Sequence, residues 1–326
     1  MTWRNIEANR SCSQGNLPNV LKSFANIHAL IESAVASNRI EGVEIDRKRV
    51  GTVVLGKGHL QDRNEQEVRG YQTALSWIHD DHNRIRLSAA TIKKLHAMTR
   101  PGIWDSGKYK DDDGEIIEKH PDGRVTVRFK PLSAAETPNA TKRLCDLFVK
   151  DIRNRDVPPL VLWAAFNLDF LCIHPFRDGN GRVSRLTLLL GLYHLGFSAG
   201  RYISLERIIE QSKERYYATL HESSQGWHET RHTPWPYVNY LLFSLLEMYR
   251  LFEQRYEQTD LPRGEKTEAV RDSVSSFAGE FHINELRKAC PEVSVDMIRK
   301  VLNDMRLEGR VECRGRGKHA RWSAIR

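Results

Sequence analysis

Cysteine is scarce in this chain and badly placed for pairing. Cys12, Cys145, Cys172, Cys290 and Cys313 lie far apart with no CxxC pair. That excludes a disulfide framework, argues against a cysteine zinc site and fits a reducing cytoplasm. Long apolar runs are also missing. The longest, Leu186 to Phe197, contains His194 and is too short to span a bilayer. The start, MTWRNIEANR, is polar. A soluble, cytoplasmic protein with no membrane partner is therefore expected. Acidic residues are in deficit, 42 against 50 Lys and Arg, for a formal charge of +8 and a pI near 9.2. This suits an anionic partner, whether nucleotide, nucleic acid or acidic protein, and says nothing of fold. No internal repeat and no low-complexity tract occurs. What is present is 326 residues with 40% apolar content, enough for roughly two domains of about 150 residues.

Apolar residues recur at spacings of three and four in NVLKSFANIHALIESAVASNRI and PLVLWAAFNLDFLCI, so Leu17 to Glu257 reads as one helical domain. The exception is DDDGEIIEKHPDGRVTVRFKP. There Val125, Val127 and Phe129 alternate with polar residues after a Pro-Asp-Gly turn, which predicts a hairpin over about 115–131. The periodicity stops around EQTDLPRGEK, so 258–265 reads as a linker. Residues 266–326 predict two helices, a helix started by Ser294, and two short strands around a basic, Gly-rich turn. That order is a winged helix-turn-helix. The predicted architecture is thus all-α with one hairpin, followed by a small winged-helix domain.

The chemistry concentrates in CIHPFRDGNGRVSR, residues 172–185. A helix ending near Ile173, a glycine-bearing turn and a helix starting near Gly181 leave free amides at a positive helix N-terminus, which is an anion site. Gly179 and Gly181 let backbone approach an oxyanion, Asn180 tolerates an unusual dihedral, and Arg182 and Arg185 share a helical face. Asp178 suits a Mg²⁺ that bridges phosphate oxygens. His174, just ahead, can accept a proton from an attacking hydroxyl, a role worth about 10²–10⁴-fold. Singly, a histidine before proline, a GNG turn and helical arginines are ordinary. Together within twelve residues they read as phosphoryl or nucleotidyl transfer.

This stretch resembles the Fic family signature HxFx[D/E]GNGRxxR at every defined position from His174 to Arg185. The likeness extends over most of residues 20–257. It implies a Fic-type helical bundle in two parts: an N-terminal helical region, 1–114, with an inhibitory helix at about 20–42, and a core, 115–257, with a flap hairpin and the signature loop, 174–185. It further implies a protein adenylyltransferase that binds ATP and Mg²⁺ and moves AMP to a Ser, Thr or Tyr hydroxyl of a target protein or of itself, with AMP removal as a second option. His174 is then the general base, Asp178 the metal ligand, Gly179, Asn180 and Gly181 the anion cradle, and Arg182 and Arg185 the clamps on the outer phosphates. Phe176 supports the loop, and Tyr216 and Tyr217 stand where the nucleotide pocket is expected. Asn167 and Ser224 depart from relatives that carry histidine and asparagine there. SNRIEG contains Ser37, Glu41 and Gly42, which fit the family's inhibitory [S/T]xxxE[G/N] pattern, whose glutamate pairs with the second signature arginine. The family also implies a homodimer.

Two rivals stand beside this reading. HETRH, His228 to His232, satisfies a zinc-peptidase pattern that needs a helix. Gly226, Pro234 and Pro236 leave under two turns for one, and no third ligand is evident. The other rival is a DNA-binding regulator acting through 266–326. Residues 309–326 hold six Lys or Arg against one Glu, and RGRGKH could follow a phosphate backbone. Against it, Asp296, Asp304 and Glu308 burden the candidate reading helix.

Overall fold

In the computed structural model, the structure describes residues 19–56, 58–119, 122–154, 156–257, 265–277, 279–290, 293–315, 317 and 320–325. Most of the linker reading, Pro121 of the hairpin turn, and Arg316, Lys318 and His319 of the basic turn lie outside them.

The chain is mainly helical. Helix α1 spans Asn19–Ile40, and a short turn leads to α2, Val50–Val54. Then come α3, Arg63–Asp81, and α4, Ala89–Thr99. Asp62 and Ser88 start α3 and α4 by accepting the amides of Glu65 and Thr91, the usual duty of an N-cap oxygen. Strands β1, Ile116–Lys119, and β2, Val125–Phe129, form an antiparallel hairpin with a register shift at Ile116 and Ile117. Val125 and Val127 stand on β2, the strand that their alternation predicted. Both are exposed, and burial begins only at Arg128 and Phe129, because the hairpin tip runs out beyond the helices it springs from.

Next come α5, Thr137–Asn154, α6, Pro159–Ile173, and α7, Asn180–His194. In α7, 13 of 15 residues are buried, so this helix has no solvent face and forms the axis of the bundle. Trp163 of α6 packs on it and donates its indole N–H to Leu188 O at 2.8 Å. The bundle closes with α8, Leu205–Gln211, α9, Lys213–Ser224, and α10, Trp235–Glu257. A buried carboxylate, Glu206, fixes α1 against α8 and α3. It accepts Ser33 Oγ at 2.7 Å and Tyr71 OH at 2.9 Å, satisfying a charge that would otherwise be costly to bury.

The C-terminal unit has its own core around Phe281, Leu286, Ile298, Leu302 and Trp322. Its order is α11, Glu265–Ser275; β3, Phe281–His282; α12, Ile283–Ala289; α13, Val295–Leu307; β4, Val311–Arg314; and β5, Arg321–Ala324. The sheet runs β3-β5-β4, the layout expected of a winged helix-turn-helix. The unit docks through α2. Gly51 N–H donates to Ser276 O at 3.0 Å, and Leu55 packs on both cores. Among the described residues no helix is long and apolar enough to cross a membrane.

Candidate active site

The loop between α6 and α7 carries the site. His174 ends α6 with φ at 51°, a left-handed conformation shared by Thr230 alone among described non-glycine residues. It is held there by its own amide on Phe170 O at 2.9 Å and by the bond from Lys110 N to Pro175 O at 2.9 Å. Such strain persists only where the surroundings fix it. The imidazole Nδ1 lies 3.2 Å from Leu171 O. A carbonyl only accepts, so Nδ1 carries the proton and Nε2 keeps its lone pair. Burial pushes the His174 pKa down to about 4, with Lys110 adding to it and the Leu171 bond, Glu41 and Asp178 opposing it. At neutral pH the ring is an uncharged base.

Beneath the loop, Phe176 is buried and stacks on His96, with centroids 3.9 Å apart and planes at 4°. His96 Nε2 donates to Asp178 O at 3.0 Å, and its Nδ1 accepts Gly107 N–H at 2.9 Å. Burial holds its pKa at about 4, as that acceptor role requires. Asn180 closes the loop on itself through the amide of Phe176 at 2.9 Å and its carbonyl at 2.7 Å. Gly179, with φ at 83°, is the N-cap of α7 and offers no side chain to the first-turn amides. Those amides remain available to a ligand. A Cβ on Gly181 would stand 2.2 Å from Glu41 Oε1, so the close approach of that carboxylate depends on glycine.

Two arginines share the face above. Arg185 is 2% exposed. Its Nε donates to Ser37 Oγ at 2.8 Å, and its Nη2 donates to Ser37 O at 2.9 Å and to Glu41 Oε1 at 2.8 Å. Burial works against the charge, yet Glu41, Tyr216 and Tyr71 hold Arg185 protonated more firmly than usual. Arg182 is spent differently: it donates to Glu67 Oε2 at 2.5 Å and to Asn38 Oδ1 at 3.2 Å, and its Nη2 lies 3.8 Å from Asp178 Oδ1. Asp178 accepts Gly179 N–H at 2.5 Å and Arg100 Nη1 at 2.7 Å. α1 ends at Ile40, and the turn after it, with Gly42 N–H on Arg39 O at 3.0 Å, places Glu41 over the loop. Glu67, Arg100 and His96 were not singled out in the sequence. A signal existed for Glu67, a charge at a stripe position ahead of Tyr71, Leu75 and Ile78.

A cavity of about 530 Å³ opens beside His174, lined also by Glu41, Gly181, Tyr216, Tyr217 and Phe129. Burial lifts the Tyr216 hydroxyl to about 12, so it stays neutral. A second cavity of about 250 Å³, lined by Lys110, Asp112, Glu115 and Arg177, shares His174 as a wall. Asn167 binds Ser184 and Tyr237 and so ties α6 to α7 and α10. Ser224 lines the larger cavity.

The HETRH stretch lies largely in turns. His228 Nε2 is spent on Lys130 O at 2.8 Å, so its histidines do not share a helical face. Among the described residues no group of three His, Cys, Asp or Glu could hold a metal alone. Asp178 fits a different arrangement, one carboxylate beside a phosphate cradle, which suits Mg²⁺ carried in with a nucleotide. In the C-terminal unit, Arg314 meets Glu280 and Glu312, and Arg321 meets Glu285.

Residues 86–192 match the Fic/DOC family. Over 181 residues the chain is 23% identical to protein adenylyltransferase fic-1 of Caenorhabditis elegans, covering 54% of this chain and 32% of that protein. Over 160 residues it is 28% identical to a ribonucleoside-diphosphate reductase small chain of Ostreid herpesvirus 1, covering 43% and 25%. The matched stretches thus span about a quarter to a third of those relatives. Among solved structures, a Fic domain containing signaling protein from Bacteroides thetaiotaomicron superposes with TM-score 0.64 at 22% identity, covering 79% of this chain and 99% of that one. A Fic family protein from Desulfovibrio desulfuricans gives 0.60 at 23%, covering 100% and 97%.

Proposed function

Taking as premise that the chain is a Fic family protein, its signature lying within the matched residues 86–192, we propose that it transfers AMP from ATP to a hydroxyl of a target protein or of itself. The observation that supports this most is the His174 imidazole, its Nδ1 proton fixed on Leu171 O and its pKa about 4, standing on the wall of a nucleotide-sized cavity beside uncapped helix amides.

In this reading ATP lies in the larger cavity, with its base near Tyr216 and Tyr217 and its phosphates at Gly179, Asn180 and Gly181. The target's Ser, Thr or Tyr oxygen forms a bond to the α-phosphorus as the bond to pyrophosphate breaks, and His174 Nε2 takes the hydroxyl proton. Asp178 would hold Mg²⁺, which supplies charge neutralisation for the departing pyrophosphate. Arg182 braces the loop through Glu67, and Arg185 offers its guanidinium to the outer phosphates. Glu41 occupies Arg185 at rest, so α1 acts as an inhibitor by holding a carboxylate where the γ-phosphate would bind.

The test is incubation with ATP labelled at the α-phosphate. Glu41→Gly is expected to label itself or a partner, and Glu41→Gly with His174→Ala to lose about 10²–10⁴-fold of that rate. Equal labelling in both proteins would sink the mechanism.

A further inference from the structure

Asp178 has an occupant that the signature does not account for. Its Oδ2 takes Arg100 Nη1 at 2.7 Å, and the same nitrogen lies 2.8 Å from Glu67 Oε1. One donor nitrogen thus bridges two carboxylates, while Arg100 Nε is buried with no partner among the described residues. A guanidinium offers five donors in a fixed fork and binds a single carboxylate best with two of them. Arg100 commits that fork to neither acid. Its stem packs beneath the loop, where a Cβ on Gly179 would meet Arg100 Cγ at 3.3 Å. The pair Arg100 and Glu67 is interior, 8% and 6% exposed, whereas Asp178 is 56% exposed. Glu67 has further partners in Arg182 at 2.5 Å and Arg63 at 3.0 Å.

A hard cation at Asp178 needs the carboxylate lone pairs. A guanidinium at 2.7 Å both occupies one oxygen and repels the incoming charge. Arg100 can release Asp178 without becoming an unpaired buried cation, because Glu67 still holds it.

We infer that Arg100 and Glu67 are positioning residues that set the metal requirement of the site: Arg100 orients the Asp178 carboxylate when no cation is present and withdraws onto Glu67 when one binds. The inference rests on the reading of Asp178 as the metal-holding residue. It adds a residue of α3, Glu67, that lies outside both the signature and the matched span 86–192.

The two partners make opposite demands. Removing Arg100 frees Asp178 Oδ2 for the cation, with Arg182 Nη2 still 3.8 Å from Oδ1, and leaves Glu67 paired with Arg182 and Arg63. Neutralising Glu67 removes the fallback, so Arg100 binds Asp178 harder. The experiment uses the full chain with Glu41→Gly, an α,β-methylene ATP analogue, and Mn²⁺ followed by electron paramagnetic resonance, with analogue affinity measured by calorimetry with and without the metal. Arg100→Met is expected to lower the half-saturating Mn²⁺ concentration about tenfold, and Glu67→Gln to raise it by about the same factor, the size of one charge-assisted hydrogen bond. General loosening of the site would weaken binding in both. A half-saturating concentration unchanged or raised in Arg100→Met overturns the inference, and that variant decides alone if Glu67→Gln does not fold. Absence of any metal effect on analogue binding in the Glu41→Gly parent would remove the Asp178 reading, and the inference with it.

Discussion

Under the start of α7, Arg182 and Arg185 are 1% and 2% exposed, and their charges are met by Glu67, Glu41 and the Ser37 and Asn38 oxygens. In the C-terminal unit the arrangement is reversed. The core around Phe281 and Trp322 is apolar, and Arg314 and Arg321, 70% and 52% exposed, meet their acids at the solvent. Burying an ion pair carries a desolvation penalty that an apolar replacement avoids, whereas a surface pair costs and contributes little. A fold that retains Arg100, Arg182, Arg185 and Glu67 inside has given up stability that Leu or Met would supply. Within this one chain, buried ion pairs crowd the start of α7, beyond the structural carboxylates Glu206 and Glu65, while the C-terminal pairs stay at the surface.

The sharpest way to break this contrast is Glu67→Ala. It leaves Arg182 with Asn38 and a 3.8 Å contact to Asp178, and Arg100 with Asp178 alone, and is expected to cost about 3–5 kcal/mol, read as a lower denaturation midpoint in urea. A loss within the scatter of surface variants would show that solvent reaches the network. Next in size is the Glu41 and Arg185 pair. Glu41→Gly is expected to raise labelling about ten- to a hundredfold by freeing one charge-assisted contact. In the Arg185→Ala background the same change should do little, and additivity of the two effects would show that the contact has no role.

A third test uses pH. Burial holds His79 at about 3 and His96 at about 4, below the unfolded value near 6.5. The unfolded chain therefore binds more protons across that interval. Stability present above pH 6.5 is expected to fall steadily toward pH 4, whereas His79→Phe should flatten the slope. The smallest effect is expected at Glu308, whose pair with Arg271 sits at the solvent edge. Glu308→Ala should leave the midpoint of the C-terminal unit unchanged, and a clear drop there would erase the distinction between the two regions.

The loop 174–185 was legible because its donors, acid and base are contiguous, so spacing alone carries the pattern. The Ser294 start of α13 was legible for the same local reason, since its hydroxyl accepts Met297 N–H. Glu41 was legible only through the family resemblance, because it meets Arg185 across 144 positions of chain. Glu67 reaches Arg182 across 115 and Arg100 across 33, distances at which no periodicity operates. Its trace in the sequence was negative, a charge standing where α3 otherwise presents Tyr71, Leu75 and Ile78 to the core. Val125 and Val127 were legible as a strand and no further. Alternation records strand geometry, but what covers each face is decided by elements far away.

The His174 imidazole is a wall of both the larger cavity and the smaller one beside Lys110 and Arg177. On the proposed reading, two reactants would sit on the chain together, each beside the same imidazole. Steady-state plots at several fixed concentrations of the second reactant should then intersect rather than run parallel. Turnover would proceed through a ternary complex, with no adenylylated histidine accumulating between half-reactions.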